Sequence, residues 1–171
     1  MKYLVKALLA LCIAKSLFAQ SIPASLTNVW ISGGLGVADH QRGVTVREAW
    51  YNPGPLVLIY RTSRSDDLLH GLRWHDRPPR SENAFLVGGA FRVDDALLTA
   101  AVGNSWRAIS KGPTEFGNIY TVHSTIHTYN VSAMKMSRYA ALGISVFGDL
   151  GQVQDEQHAV ALTIQVGNFR R

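Results

Sequence analysis

Apolar and polar residues alternate along many short stretches of this 171-residue chain. Near the C-terminus, one set of alternate positions is apolar and the other is small or polar: Val160, Leu162, Ile164 and Val166 against Ala161, Thr163, Gln165 and Gly167. A period of two is typical of β-strands, because successive side chains point to opposite faces. After residue 20, no long stretch repeats apolar residues with a period near 3.6. The pattern therefore predicts an all-β chain.

Eight strands are predicted, over residues 28–39, 43–51, 56–63, 84–93, 96–106, part of 119–136, 140–150 and 158–169. Their connections alternate in length. Short turns are expected at 52–55, 94–95 and 137–139, and longer polar loops at 39–43, 64–83, 107–118 and 151–157. Antiparallel strands joined in this way put all short turns at one end, as in outer-membrane barrels. We therefore predict an eight-stranded antiparallel up-and-down transmembrane β-barrel.

The two faces of the predicted strands differ in character. In strands 1, 5, 7 and 8, one face is apolar and the other carries small or mildly polar residues, with Phe147 as an exception. A narrow barrel with lipid outside would have this composition. Membrane exposure requires that four residues point outward: Leu142, Ile144, Leu162 and Ile164. Aromatic residues near strand ends are expected at the membrane interfaces, namely Trp30, Trp50, Tyr51, Tyr60, Trp106 and Tyr139.

Two strands fit this pattern less well. Arg47 and Glu48 are adjacent, so one of the two charges would face lipid, and strand 3 is apolar on both faces. These features keep open a soluble periplasmic barrel of lipocalin type that binds a small apolar ligand. Within a membrane barrel, inward Arg47, Arg61 and Asp149 are expected to form an interior ion-pair network.

Residues 1–19 have the features of a secretory signal peptide, with Lys2 and Lys6 before an apolar run and cleavage after Ala19. Residues 20–171 would form one barrel domain. Loss of the three lysines in this segment lowers the formal net charge from +5 to about +2, which gives no reason to expect nucleic-acid binding. The only cysteine, Cys12, would also leave, so the mature chain would have no thiol chemistry.

The segment 135–170, which ends in the sequence VGNFR, resembles the last hairpin of small outer-membrane β-barrel proteins of Bacteroidota-type bacteria, with barrels like those of OmpX and OmpA. The stretch NVWISGGLGVA at 28–38 is similar to their mature N-terminus. The resemblance implies an outer-membrane location and handling by the barrel-insertion machinery. Many outer-membrane proteins end in an aromatic residue, whereas here Phe169 is followed by Arg170 and Arg171.

The best candidates for catalytic chemistry are two histidines in the sequence HSTIH. His123 next to Ser124 and Thr125 suggests a lipid A-modifying outer-membrane enzyme, a deacylase, as a further alternative. In a regular strand, however, His123 and His127 lie about 13 Å apart, too far to share a metal ion. Both also lie on the face of Tyr129 and Val131 and would not point into the interior. We therefore predict no catalytic, cofactor-binding or metal-binding residue, and no cofactor.

The predicted loop 64–83 is rich in charged and aromatic residues: Arg64, Arg73, Arg77, Arg80, His70, His75, Trp74, Asp66, Asp67, Asp76 and Glu82. Its arginines are candidates for binding lipopolysaccharide phosphates, against the simpler interpretation of a solvated outer loop. Other loop carboxylates, Asp39, Asp155 and Glu156, lack the spacing of a calcium-binding loop.

These observations together predict a non-enzymatic outer-membrane barrel, porin-like in architecture, with a structural or surface-interaction role. Eight strands leave an interior that side chains fill, so no open pore is expected. The expected partners are outer-membrane lipid and lipopolysaccharide, and the insertion machinery during biogenesis. The barrel is expected to be a monomer in the cell outer membrane.

Overall fold

The computed structural model describes residues 28–39, 42–52, 56–67, 80–111, 120–137, 139–151 and 157–167. The predicted signal peptide and the terminal Arg170 and Arg171 lie outside these ranges. Within them, no helix is long and apolar enough to cross a membrane. Nearly all described residues belong to eight strands: β1 (Asn28–Ala38), β2 (Arg42–Asn52), β3 (Leu56–Asp67), β4 (Arg80–Val93), β5 (Ala96–Lys111), β6 (Tyr120–Met136), β7 (Ala140–Asp149) and β8 (His158–Gly167).

The strands form a closed antiparallel barrel in which each strand pairs with the next and β8 pairs with β1. This confirms the predicted up-and-down order. The register shifts around the barrel. Starting from Trp30 and moving from each residue to its Cα partner on the next strand, through β2 to β7, one reaches Asp149 and then Gln157. On β8, however, Trp30 itself pairs with Gly167. The difference between Gln157 and Gly167 is a register shift of ten residues around the barrel. A shift of this size tilts the strands by roughly 35–45° from the barrel axis.

The connections at one end are short and three of the four at the other end are long, as predicted, but residues 39–41, predicted as part of a longer loop, form a connection of only three residues because β2 begins at Arg42. Residues 53–55, 94–95 and 137–139 connect strands at one end, which we name the short-turn end. Residues 39–41, 68–79, 112–119 and 150–157 connect strands at the other, the long-loop end. The turn after β4 contains only Asp94 and Asp95. It is this tight because Asp94 has a φ of 50°, in the left-handed region that Asp tolerates better than most residues.

Three strands extend further toward the long-loop end than predicted. β3 continues to Asp67, β4 begins at Arg80 and β5 continues to Lys111, so parts of the predicted loops 64–83 and 107–118 are strand. The prediction ended these strands where the apolar residues stop. Backbone pairing continues past that point because ladder hydrogen bonds do not require apolar side chains.

The apolar face of the strands points outward. Leu142, Ile144, Leu162 and Ile164 are between 52% and 59% exposed. Their neighbours in the chain, which point to the opposite face, are buried, among them Ser145, Ala161 and Thr163. The barrel therefore has the arrangement expected of a lipid-facing exterior, and the arrangement expected of a soluble ligand-binding barrel is not observed.

Apolar side chains fill the interior near the short-turn end. The indoles of Trp30 and Trp50 stack there with ring centroids 5.7 Å apart. The same buried cluster includes Val57, Ile59, Leu86, Leu97, Met134 and Met136. Strand 3 is apolar on both faces because Val57 and Ile59 belong to this cluster, while Leu56 and Tyr60 are exposed outside.

The predicted aromatic belt is correct in part. Tyr51, Tyr60 and Trp106 face outward and are exposed, and Tyr139, in the turn before β7, is also exposed. The prediction for Trp30 and Trp50 is wrong, because both are buried inside the barrel. The reason is strand parity: Trp30 lies between the outward Val29 and Ile31, so its side chain must point inward.

Candidate functional site

Four charged side chains from four strands meet inside the barrel: Arg61 of β3, Glu82 of β4, Arg107 of β5 and Asp149 of β7. Glu82 accepts a hydrogen bond at 2.8 Å from Nη2 of each arginine. Arg107 also donates to both carboxylate oxygens of Asp149, at 2.5 and 3.0 Å. Two positive and two negative charges therefore compensate one another. We refer to these four residues as the interior network.

The surroundings of Arg61 hold this network in place. Its guanidinium donates to the Tyr129 carbonyl at 3.1 Å and to the Thr128 hydroxyl at 2.9 Å. The Phe147 ring lies 4.4 Å from the guanidinium carbon, which is a cation–π distance. Phe147, the exception on an otherwise small face, is therefore the aromatic partner of a buried arginine.

A second polar cluster surrounds the buried carboxylate of Glu48. It accepts hydrogen bonds from the Ser32 hydroxyl at 2.9 Å, the Trp50 indole at 3.0 Å and the Asn130 amide at 2.6 Å. Three donors from three strands replace the water that the carboxylate loses on burial. The cluster also explains why Trp50 is inside, since its N–H has a buried partner.

The prediction of an interior network from Arg47, Arg61 and Asp149 is correct for two residues and wrong for the third. Arg61 and Asp149 point inward, but Arg107 and Glu82 connect them. Arg47 is exposed on the outside of β2. Adjacent strand residues face opposite sides, and the inward position belongs to Glu48.

Sequence reasoning missed Glu82 and Arg107 because it placed both in loops. The signal that identifies them is parity. Glu82 is two residues from the inward Ala84, and Arg107 is two residues from the inward Ser105. Continuing the alternation past the last apolar residue would have assigned both charges to the interior.

The outward surface becomes polar toward the long-loop end, but only on part of the circumference. On β2 to β6 the exposed or half-buried outward residues there include Thr45, Arg47, Thr62, Arg64, Ser81, Asn83, Asn104, Thr121, His123, Thr125 and His127. On β1 and β8 the outward face stays apolar to Val37 and Val160. The belt of outward apolar side chains therefore extends less far toward the long-loop end on β2 to β6 than on β1 and β8.

The two histidines of HSTIH lie on this outward face as predicted. His123 is exposed, and Ser124 points to the opposite face because it is the next residue in the strand. The ring Nδ1 of His127 lies 2.7 Å from the Asn104 side-chain oxygen. The strand therefore does not bring the His123 and Ser124 side chains together as a pair suited to acyl chemistry.

The charged residues of the predicted loop 64–83 are distributed differently from expectation. Arg64 and Asp66 lie on β3, and Glu82 belongs to the interior network. Arg73, Arg77, His70, His75, Trp74 and Asp76 lie outside the described residues, as do Asp155 and Glu156. In the part of the chain that the structure describes, no group of three or more His, Cys, Asp or Glu residues could hold a metal ion.

No protein-family model matches the sequence, and no curated protein matches it. Solved structures are similar in fold. The N-terminal β-barrel domain of Pseudomonas aeruginosa OprF aligns with a TM-score of 0.62 at 10% identity, over 82% of this chain and 97% of that chain. Neisserial surface protein A aligns with a TM-score of 0.58 at 11% identity, over 81% of this chain and 95% of that chain.

The attachment invasion locus protein Ail of Yersinia pestis aligns with a TM-score of 0.56 at 12% identity, over 83% of this chain and 97% of that chain. Identities this low show a shared fold. The chain is therefore a closed eight-stranded up-and-down β-barrel with the architecture of small outer-membrane barrels. The predicted Bacteroidota-type origin stays a prediction.

Proposed function

We propose that this chain is a small outer-membrane β-barrel protein with a structural or surface-interaction role and without an open pore. The observation that carries the proposal is the pairing of an apolar exterior with a charged, hydrogen-bonded interior. In water, exposed Ile31, Leu35, Leu162 and Ile164 would gain by burial. In a bilayer the same side chains contact lipid, and the barrel satisfies its own backbone polar groups.

The absence of an open pore rests on the interior packing. The apolar cluster with Trp30 and Trp50 fills the short-turn end, and the interior network with Phe147 lies above it. Planar-bilayer recordings of the refolded protein are expected to show no persistent conductance of porin type. Stable open channels would contradict this part of the proposal.

A surface role is supported by the lengths of the strands. A tilted strand crosses the hydrocarbon layer with about 9–11 residues, whereas β5 has 16 and β6 has 17. Their excess lies at the long-loop end, where the outward side chains are polar. With the long-loop end facing the cell exterior, as in outer-membrane barrels, this hairpin extends from the outer leaflet and presents a polar surface outside the cell.

A charge placed on the exterior tests the location directly. Ile144→Arg on β7 is expected to lower the free energy of unfolding in bilayers by about 2–4 kcal/mol, because it puts arginine in hydrocarbon. Thr125→Arg, on the polar outward face of β6, is the matched control and is expected to change it by less than about 0.5 kcal/mol. If both variants are equally stable, Ile144 faces water and the membrane proposal fails. Recovery of the wild-type protein in the soluble periplasm would also contradict it.

The proposal includes no enzymatic step. His123→Ala is expected to leave the acylation pattern of lipid A unchanged in cells that produce the protein, as measured by mass spectrometry. A loss of acyl chains that depends on both the protein and His123 would instead support the deacylase alternative. The barrel is proposed to be a monomer, and light scattering of the detergent-solubilised protein measures this.

A further inference from the structure

Six outward side chains on β2, β3 and β4 form two rows at the edge of the apolar belt. The strand register defines one row as Arg47, Thr62 and Asn83 and the next, nearer the long-loop end, as Thr45, Arg64 and Ser81. The row on the other side is Ala49, Tyr60 and Phe85. The surface changes from apolar to hydrogen-bonding within one row. We refer to the six residues as the β2–β4 patch, and they line one shallow depression.

The two arginines of the patch are diagonal neighbours, since Arg47 pairs with Thr62 and Thr45 pairs with Arg64. Diagonal neighbours on paired strands lie about 7–8 Å apart, close enough for two guanidinium groups to bind the same phosphate. Thr62, Ser81 and Asn83 carry a hydroxyl or an amide that can donate a hydrogen bond, whereas the Thr45 hydroxyl donates to the Arg64 carbonyl at 3.5 Å.

Both guanidinium groups are accessible. Among the described residues, Arg47 forms no hydrogen bond and no ion pair. Arg64 contacts the Asp66 carboxylate at 3.8 Å, with both side chains largely exposed, and such pairs contribute little in water. Glu82 also borders the depression, but its carboxylate points inward to Arg61 and Arg107. The patch is therefore cationic.

The neighbours of Arg47 on the outward face provide no negative charge, so its counter-ion must come from outside the chain. Its partner on β1 is Gly33, where an added Cβ would meet nothing within 4 Å, so bare backbone lies beside it. The next outward residue toward the short-turn end is Ala49, in the apolar row. An arginine at this depth in a membrane reaches toward the headgroup layer, where the available anions are lipid phosphates.

An aromatic residue borders the patch. Trp106 on β5 pairs with Asn83 and is 53% exposed on the outward face. An indole at this level suits the headgroup region, and its ring can lie against a sugar. Below the patch, Tyr60 and Phe85 continue the apolar surface that acyl chains would cover.

We propose that the β2–β4 patch binds a phosphorylated saccharide lipid of the outer leaflet, with Arg47 and Arg64 bridging one of its phosphates. The proposal rests on the membrane location proposed above and identifies a specific lipid-binding site for it. Thr62, Asn83 and Ser81 donate to the remaining phosphate and sugar oxygens, and Trp106 contacts the sugar.

The test uses the full barrel refolded in detergent micelles and titrated with three probes: bisphosphorylated lipid A, dephosphorylated lipid A and phosphatidylglycerol. Native mass spectrometry measures the bound fraction. Wild type is expected to bind bisphosphorylated lipid A at least about tenfold more tightly than either other probe, since charge-assisted hydrogen bonds of this kind are worth roughly one such factor each. Arg47→Gln and Arg64→Gln are each expected to lose about tenfold.

Lys135→Gln is the matched control, because it removes an exposed outward charge from β6 near the short-turn end. It is expected to bind like wild type. Arg47→Lys keeps the charge and loses the guanidinium geometry, so intermediate binding is expected. The heat-dependent gel shift of each variant shows whether it has folded before its binding is compared.

Several results would overturn the inference. Equal binding of dephosphorylated lipid A would exclude phosphate recognition, and equal binding of phosphatidylglycerol would exclude the saccharide. Equal losses in Lys135→Gln and Arg47→Gln would show that binding follows total charge. A barrel that inserts into bilayers without any preference among the probes refutes this inference alone, whereas a barrel that does not insert refutes the proposed function.

Discussion

At the scale of single residues, Glu82 is the centre of the buried charges, since it contacts both Arg61 and Arg107 at 2.8 Å. Arg107 keeps a second carboxylate, Asp149, but Arg61 has no further described carboxylate within ion-pair distance. Removal of the Glu82 charge therefore leaves Arg61 with neutral acceptors and the Phe147 ring. A buried charge without its partner is strongly destabilising.

Glu82→Gln is accordingly expected to lower the free energy of unfolding by about 3–5 kcal/mol. Urea unfolding of the refolded barrel, followed by tryptophan fluorescence, measures the change. Ser81→Ala, the adjacent outward position, serves as control with an expected change of less than about 0.5 kcal/mol. Equal stabilities would mean that the interior network does not hold the barrel together.

Individual residues are also where prediction from sequence reached its limit. The pair Arg47 and Glu48 was identified as a conflict, but its resolution required knowing which of the two faces outward. Both faces of β2 carry polar residues in this region, so composition could not decide. Only the register with β1 and β3 places Glu48 next to Ser32 and leaves Arg47 beside Gly33.

At the scale of strands, the seam between β1 and β8 closes the barrel through a glycine. A Cβ added to Gly36 would lie 2.0 Å from the Val160 carbonyl oxygen and 2.5 Å from the Ala161 Cα. These are backbone atoms of the partner strand, so a side chain at this position must push the strands apart. Gly33, three residues earlier in β1, meets nothing within 4 Å.

This difference between two glycines of one strand gives a matched pair of substitutions. Gly36→Ala is expected to lower the free energy of unfolding by about 1–3 kcal/mol, because it overpacks the seam. Gly33→Ala is expected to leave stability unchanged or slightly raised, since alanine reduces the entropy of the unfolded chain. Denaturant titration of both variants measures the effect, and equal destabilisation by both would show that strand propensity, not the close approach, is responsible.

The strands themselves could be predicted well, and their ends could not. Turn residues such as Pro53, Gly54 and Asp94 indicate where the short connections lie. At the long-loop end, strand and loop have the same polar composition. Glu82 and Arg107 were therefore assigned to loops although both lie on paired strands.

At the scale of the whole molecule, the two ends of the barrel differ in length and polarity, which predicts an orientation. The long-loop end should face the cell exterior and the short-turn end the periplasm. The predicted mature chain contains no cysteine, so single cysteines can report the orientation.

In intact cells, His123→Cys is expected to react with a membrane-impermeant maleimide. Asp95→Cys, in the turn between β4 and β5, is expected to react only after the outer membrane is permeabilised. The reverse pattern would invert the proposed orientation, and labelling of both positions in intact cells would contradict membrane insertion.

The architecture could be derived from the sequence because one physical rule, alternation between lipid and interior, acts on every strand. The same rule carries no information about ligands, and one fold serves many functions. The β2–β4 patch illustrates this. Its six residues come from three strands and become neighbours only through the register.

The interior network also has a consequence for how the molecule assembles. Arg107 and Asp149 are 42 positions apart in the chain, and β6 lies between their strands. If the hairpins with short turns entered the bilayer one after another, Arg107 would enter with Glu82 of its own hairpin but without Asp149, and Arg61 would meet hydrocarbon before Glu82 arrived. Each such exposure costs roughly 2–4 kcal/mol at the midplane. Charge compensation within the interior network is therefore complete only in the closed barrel, which couples strand closure to membrane entry and disfavours any partly inserted intermediate.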